Sequence, residues 1–134
     1  MGWTVVVVLG ALLFGAGAVR YRMGPGGRDM LAAQLQKRLG QADCIVLDVR
    51  SDREYRSGYI PGALHIPHTR IGARLDELEP HRDRSIVVYC AHGVRARMAQ
   101  NTLRKAGFED VYHLVGDMPG WQRDGLAVEL ASVP

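Results

Sequence analysis

A cysteine followed by a short glycine-bearing segment is the part of this sequence best suited to chemistry. Residues 85–95 read Ser-Ile-Val-Val-Tyr-Cys-Ala-His-Gly-Val-Arg. The apolar run that ends at Tyr89 predicts a buried strand with Cys90 at its carboxyl end, and a helical pattern begins at about Val94 and stops at Gly107. A thiol at such a turn faces backbone N–H groups and the positive end of a helix dipole. These surroundings favour a thiolate with an anionic substrate beside it.

The five residues after the cysteine are the candidate substrate-binding residues: Ala91, His92, Gly93, Val94 and Arg95. Their backbone amides can all stabilise negative charge. Arg95 could be a solvated helix residue, but its position one turn from the thiol favours anion binding. His92 could line the site and tune the choice of acceptor, or it could only cap the loop, and both interpretations stay open.

Asp48 and Arg50 are the candidate supporting residues. Asp48 lies near the end of the apolar run 44–49, which is typical of a strand covered on both faces. In parallel sheets ligands bind beyond the carboxyl ends of the strands, where Asp48 and Cys90 would both lie. We expect Asp48 to organise loop backbone rather than to react, since an unpaired carboxylate would raise the pKa of a nearby thiol. Arg50 is its expected ion-pair partner.

The elements that must position these residues alternate between helix and strand. In chain order the patterns predict a helix from Asp29 to Leu39, a strand at 44–49, a short helix opened by the Ser51–Glu54 capping box, a strand at 63–66, a helix at 69–78, the strand into Cys90, the helix from Val94, a strand at 111–114, and a last turn that holds Trp121. This alternation predicts an α/β domain with a parallel sheet and helices on both faces. We expect Trp121 to pack in the core.

The amino-terminal segment is predicted to cross a membrane. Residues 3–19 carry no charge, and these seventeen residues would span about 26 Å as a helix, enough for a bilayer core. A cleaved signal peptide is the alternative, because Ala16-Gly17-Ala18 resembles a cleavage site. Arg20 and Arg22 follow the run and no basic residue precedes it, which favours an uncleaved anchor with the catalytic domain in the cytoplasm. Residues 20–27, ending in Gly-Pro-Gly-Gly, are the predicted juxtamembrane linker before a domain at 28–130.

The charge pattern argues against nucleic acid as a partner. The formal net charge is +3, but two of the 17 basic residues are Arg20 and Arg22 beside the apolar segment, so the chain from Arg28 onward has 15 basic against 14 acidic residues. No basic run interleaved with aromatic residues occurs in that part.

Cysteine and histidine usage point away from disulfides and metals. Cys44 and Cys90 are too few for a disulfide framework, and Cys44 lies in an apolar run where a buried, inert thiol is the default. His65 and His68 have the spacing of a ligand pair, but Pro67 intervenes and no third ligand is near, so no metal is expected. His81 and His113 are interpreted as surface or strand residues.

Several separated segments together resemble one known family. They are Asp48-Val49-Arg50, Glu54-Tyr55, Gly58-Tyr59-Ile60-Pro61-Gly62-Ala63, Tyr89 to Arg95, and Ala106-Gly107-Phe108 with the Gly116…Trp121 ending. In this order and spacing the chain resembles a single-domain rhodanese, a thiosulfate sulfurtransferase, over about residues 28–130. The resemblance implies a five-stranded parallel sheet flanked by helices, with Cys90 on the active-site loop. Three positions depart from the common pattern: Tyr59 stands where His is frequent, Ala96 where Ser is frequent, and Asp117 where a second Gly is frequent.

The expected chemistry is a two-step displacement at Cys90. Its thiolate would attack the outer sulfur of a small anionic donor such as thiosulfate, sulfite would leave, and the cysteine would carry a persulfide. Cyanide or a thiol acceptor would then take the sulfur. No metal, nucleotide or other cofactor is required.

Two alternative functions remain. A phosphatase or arsenate reductase also uses a loop from Cys to Arg, but with five intervening residues, whereas four stand between Cys90 and Arg95 here. The shorter loop favours a single sulfur atom over a tetrahedral phosphate. The other alternative is a membrane-tethered docking or sulfur-relay module with little small-molecule turnover.

Overall fold

A computed structural model describes residues 28–131, which form an α/β domain around one five-stranded sheet. The strands are β1 (Arg28–Met30), β2 (Cys44–Asp48), β3 (Leu64–His65), β4 (Ser85–Tyr89) and β5 (Val111–Leu114). The α-helices are α1 (Ala32–Arg38), α2 (Asp52–Arg56), α3 (Val94–Lys105) and α4 (Asp117–Arg123). All strand pairs in the sheet are parallel, in the order β1-β5-β4-β2-β3. The predicted parallel five-stranded fold is therefore confirmed.

Period-two alternation along the central strands divides the core between the two faces of the sheet. Ile86 and Val88 face a cluster that includes Ala99 and Leu103 of α3. Val87 faces the opposite cluster, which contains Leu35 of α1 and Met118 and Trp121 of α4. Trp121 is 1% exposed, so its predicted core position is confirmed.

The amino-terminal end of the domain differs from the sequence prediction. Asp29 was expected to cap a helix, but Arg28–Met30 form the edge strand β1 beside β5, and α1 begins only at Ala32. The Leu31 amide at the start of α1 is bound by the Gln34 side chain, at 2.9 Å. In an edge strand of three residues, the alternation of apolar and polar side chains is too short to distinguish the strand from the start of a helix.

The prediction of a helix at 69–78 is also wrong. The chain there forms three short 3₁₀ segments, His68–Arg70, Gly72–Glu77 and Glu79–His81. Ile71 and Leu78 are fully buried and anchor these irregular turns to the core on the α3 face of the sheet.

The two predicted segments at the amino terminus lie outside the described residues: the transmembrane helix at 3–19 and the linker at 20–27. Among residues 28–131, no helix has the length and apolarity needed to cross a bilayer.

Candidate active site

The sulfur of Cys90 is held by main-chain amides. Cys90 is the first residue after β4, and the strand alternation turns its side chain toward the face covered by α3. The residue is 1% exposed. Its Sγ accepts hydrogen bonds from the amides of Gly93, at 3.0 Å, and Ala96, at 3.4 Å. N–H donors and the amino end of a twelve-residue helix both favour negative charge on this sulfur.

The turn that presents these amides depends on Gly93. Its φ of 91° lies in the left-handed region, which residues with a side chain rarely adopt. A Cβ at this position would also lie 3.3 Å from Asp117 Oδ2, tighter than ordinary contact. Gly93 is thus required both by the backbone conformation and by the side chain packed behind it.

Asp117 and His113 form a buried pair behind the loop that the sequence interpretation missed. Asp117 Oδ1 accepts a 3.0 Å hydrogen bond from the Cys90 amide, and the Met118 amide donates to the Cys90 carbonyl at 3.0 Å. His113 Nε2 lies 3.0 and 3.1 Å from the two carboxylate oxygens of Asp117. Together these contacts fix the backbone of Cys90 from both sides.

A sequence signal for Asp117 existed. Asp117 stands at a position where Gly is frequent in the family pattern, and it adopts a positive φ of 52° that Gly would take without strain. His113 was interpreted as a surface or strand residue: it does lie in β5, but it is 6% exposed and therefore buried. Only the pairing of β5 with β4 brings it near the loop.

Asp48 and Arg50 form the expected ion pair, next to a tyrosine that the prediction did not include. Arg50 donates to both oxygens of Asp48 at 2.7 to 3.1 Å, and the Asp48 carboxylate also accepts from the Tyr89 hydroxyl at 2.6 Å. Arg50 further donates to the Gly58 carbonyl at 2.6 Å, and Tyr89 accepts from the Ile60 amide at 3.0 Å. The network therefore ties the ends of β2 and β4 to the chain that follows α2.

Burial governs the ionisation of this network. It raises the pKa of Tyr89, and the neighbouring Asp48 carboxylate raises it further, so the phenol stays protonated. Burial acts to lower the pKa of Arg50, but the Asp48 carboxylate outweighs it and the net shift is upward. The charge of Asp48 is thus neutralised by the buried ion pair with Arg50, which fits the supporting role expected of both residues.

Arg95 lies at the start of α3 and is engaged by a carboxylate. Its guanidinium donates two parallel hydrogen bonds to Glu54 of α2, at 2.6 and 2.9 Å. Glu54 also completes the predicted capping box with Ser51, which is confirmed. The Arg95 guanidinium, with the Ser51 bonds beside it, lowers the pKa of Glu54 to about 2. The sequence did not indicate the Arg95–Glu54 pair, because 41 residues separate the partners.

The remaining loop residues differ in exposure. His92 and Val94 are exposed and Ala91 is partly exposed, so these three form the accessible side of the loop. Ala96 is fully buried in the core on the α3 side of the sheet, so a larger side chain there would contact core residues. Its backbone amide is the one that donates to the Cys90 sulfur.

The other sequence candidates lie away from the thiol. Cys44 is buried in the opposite core, and burial raises the pKa of its thiol. His65 is bound through Nε2 to the Arg50 carbonyl at 2.8 Å and stacks on the Tyr55 ring. Among the residues that the structure describes, no cluster of three or more His, Cys, Asp or Glu side chains could hold a metal ion.

Comparisons with known proteins agree with this fold. Residues 31–124 match the profile of the rhodanese-like domain. A tRNA uridine(34) hydroxylase of Erwinia tasmaniensis is 32% identical over 101 residues, covering 72% of this chain but only 29% of that protein. The chain therefore spans less than a third of that curated relative.

Solved structures share the fold at similar identity. A rhodanese-related protein of Thermoplasma volcanium is 31% identical, with a TM-score of 0.70 over 78% of this chain and 99% of that one. A thiosulfate sulfurtransferase of Pseudomonas aeruginosa is 28% identical, with a TM-score of 0.71 over 79% of this chain and 21% of that one. On the profile match and the shared fold, this chain belongs to the rhodanese-like domain family.

Proposed function

We propose that the protein is a sulfurtransferase that moves a sulfane sulfur from thiosulfate, or a similar donor, through a persulfide on Cys90 to cyanide or a thiol acceptor. The observation that carries this proposal is the pair of amides, from Gly93 and Ala96, that donate to the Cys90 sulfur. They offer stabilisation to an anionic sulfur without any acid or base side chain. A reaction that only passes sulfur between anions needs nothing more.

The first step exchanges one sulfur–sulfur bond for another. The Cys90 thiolate attacks the outer sulfur of thiosulfate, a new S–S bond forms, and the old one breaks with its electron pair leaving on sulfite. The product is a persulfide anion, so the negative charge stays within reach of the same amides. In the second step, cyanide or a thiolate takes the outer sulfur and returns the Cys90 thiolate.

The enclosure of the thiol supports a small donor. Cys90 is 1% exposed, which favours a donor that is slender at the sulfur atom it transfers. The loop of four residues between Cys90 and Arg95 favours this reaction over that of a phosphatase or arsenate reductase. His92, which is exposed on the loop, is the proposed contact for the acceptor.

We further propose that residues 3–19 anchor the domain to a membrane, with residues 28–130 in the cytoplasm. The support is the uncharged run followed by Arg20 and Arg22. Reporter fusions at the carboxyl terminus test the topology: cytoplasmic reporter activity is expected. Activity on the opposite side of the membrane would favour export after signal cleavage.

Thiocyanate formation from thiosulfate and cyanide tests the activity. We expect turnover by the parent protein and by Cys44→Ala, and none by Cys90→Ser. If Cys90 is persulfidated but turnover is negligible, the domain acts as a sulfur-relay module. Faster hydrolysis of an aryl phosphate than formation of thiocyanate would overturn the assignment.

A further inference from the structure

The ion pair at the start of α3 removes the free positive charge that an anionic donor would use. Arg95 directs both of its parallel N–H groups at the two carboxylate oxygens of Glu54. Such a fork-to-fork pair is the strongest geometry available to a guanidinium. The Arg95 side chain is 26% exposed and that of Glu54 is 32% exposed. The pair is therefore partly shielded from water, but a solute can still reach it.

Glu54 is held in this position from its other side as well. Its Oε1 accepts from the Ser51 amide at 3.2 Å and the Ser51 hydroxyl at 2.9 Å. Because Arg95 holds the pKa of Glu54 near 2, the carboxylate is charged at any ordinary working pH. Arg95 directly precedes Ala96, whose amide donates to the Cys90 sulfur at 3.4 Å, so the pair lies beside the residue that holds the thiol.

We propose that Glu54 determines the charge of the donor that the site accepts, by competing with the donor for Arg95. This rests on the proposed sulfurtransferase function and names its donor class: sulfane sulfur compounds with one negative charge or none beside the transferred atom. The dianion thiosulfate then reacts more slowly than it would in the same site without the Glu54 charge. Each additional negative charge on the donor adds a further repulsion from the Glu54 carboxylate.

Two donors that differ by one charge separate this effect from chemistry. Thiosulfate is a dianion and releases sulfite, whereas methanethiosulfonate is a monoanion and releases methanesulfinate. Both place the transferred sulfur on a sulfonyl sulfur, and both convert the Cys90 thiolate to a persulfide by the same exchange of S–S bonds. The measured quantity is the ratio of their second-order rate constants for persulfidation of the full chain, followed by intact mass.

Glu54→Gln is the main variant, because Gln keeps the size and hydrogen-bonding oxygen but removes the charge. We expect the rate constant with methanethiosulfonate to rise about two-fold and that with thiosulfate about four- to five-fold, since the effect of one charge is applied twice to a dianion. The ratio therefore shifts about two-fold toward thiosulfate. Added salt should shrink the shift by screening.

A matched control exists at the other end of α3. Glu79 also accepts two hydrogen bonds from one guanidinium, from Nε and Nη2 of Arg82, and Arg82 donates to the Ala106 carbonyl as well. Ala106 lies about 16 Å along the helix from Arg95. Glu79→Gln removes the same charge from the same kind of pair and should leave the donor ratio unchanged.

Arg95→Gln keeps the inference testable if Glu54→Gln does not fold. It leaves the Glu54 carboxylate without its counter-ion, so the ratio should shift the opposite way, toward methanethiosulfonate. An unchanged ratio in the folded variants, or an equal shift in Glu79→Gln, would show that the pair is only structural and overturn the inference. If the parent accepts sulfur from neither donor, the proposed function fails and the inference fails with it.

Discussion

At the scale of single residues, the sulfur of Cys90 is bound by main-chain groups that no side-chain pattern reveals. The Gly93 and Ala96 amides reach the Cys90 sulfur only because the chain turns through a positive φ at Gly93. The sequence could predict the turn, since a glycine follows a strand end. It could not predict the buried Asp117 carboxylate that holds the Cys90 amide, because that contact crosses between two β-strand ends.

Asp117→Ala tests the importance of this hold on the Cys90 backbone. Alanine leaves the Cys90 amide without its acceptor and is poorly suited to the positive φ, so we expect a loss of about 1–3 kcal/mol in the free energy of unfolding. The rate of persulfidation should fall at least about ten-fold, because about 1.4 kcal/mol of lost alignment is enough for that.

Asp117→Asn is the matched rescue. Asparagine tolerates the left-handed conformation and keeps an oxygen for the Cys90 amide, so its persulfidation rate should stay within a few-fold of the parent. Asp124→Ala, at the exposed end of the same helix, controls for loss of an acidic residue. Parent-like transfer by Asp117→Ala would show that the hold is dispensable.

The Arg95–Glu54 pair should also make stability depend on pH. The pKa of Glu54 is lowered from 4.5 to about 2 in the folded protein, so its stabilising effect is present above about pH 4.5 and is lost as the pH falls toward 2. Since Glu54 is 32% exposed, we expect the effect to be about 0.5–1 kcal/mol. Urea unfolding of the parent and Glu54→Gln should differ by this amount near neutral pH and converge in acid; a constant difference would contradict it.

At the scale of elements, predictions succeeded where local chemistry decides the structure and failed where tertiary packing does. The Ser51–Glu54 capping box identified the start of α2 because the side chain of each of these two residues binds the backbone amide of the other. A helix was predicted at 69–78, but Ile71 and Leu78 are buried there by 3₁₀ turns instead. The edge strand Arg28–Met30 exists only because β5 lies beside it.

The buried network at the ends of β2 and β4 can be tested with Arg50→Met. Removing the guanidinium leaves the Asp48 carboxylate buried with only the Tyr89 hydroxyl and the residue-50 amide, so we expect a loss of about 3–5 kcal/mol in the free energy of unfolding. Arg53→Met, an exposed arginine of α2, should change stability by no more than about 0.5 kcal/mol. Equal effects of the two substitutions would mean that the network contributes little.

At the scale of the whole molecule, the sheet separates two cores that should contribute to stability independently. Ile60 packs in the core that faces α1 and α4, and Ile71 packs in the core that faces α3. Both are fully buried, so Ile60→Val and Ile71→Val should each cost about 0.5–1.5 kcal/mol. The double variant should equal the sum within about 0.5 kcal/mol, measured by urea unfolding. A larger coupling would show that strain passes through the sheet.

The same architecture explains why the location of the site was predictable. Parallel strands end at one edge, and this edge collects Asp48 from β2, Cys90 after β4 and Asp117 after β5. Strand-end residues could therefore be proposed from the sequence alone. Other contacts required the fold: Tyr89 with Asp48 and Glu54 with Arg95 each join residues 41 apart in the chain. His113 is only four residues from Asp117, but the pairing of β5 with β4 is what places it behind the loop.

Intact mass of the full chain after exposure to thiosulfate and removal of excess donor tests the central claim most directly. The account predicts that the parent and Cys44→Ala each gain one sulfur atom, that Cys90→Ser gains none, and that cyanide removes the added atom. A sulfur adduct that persists in Cys90→Ser, or a parent protein that gains no sulfur while folded, would contradict it.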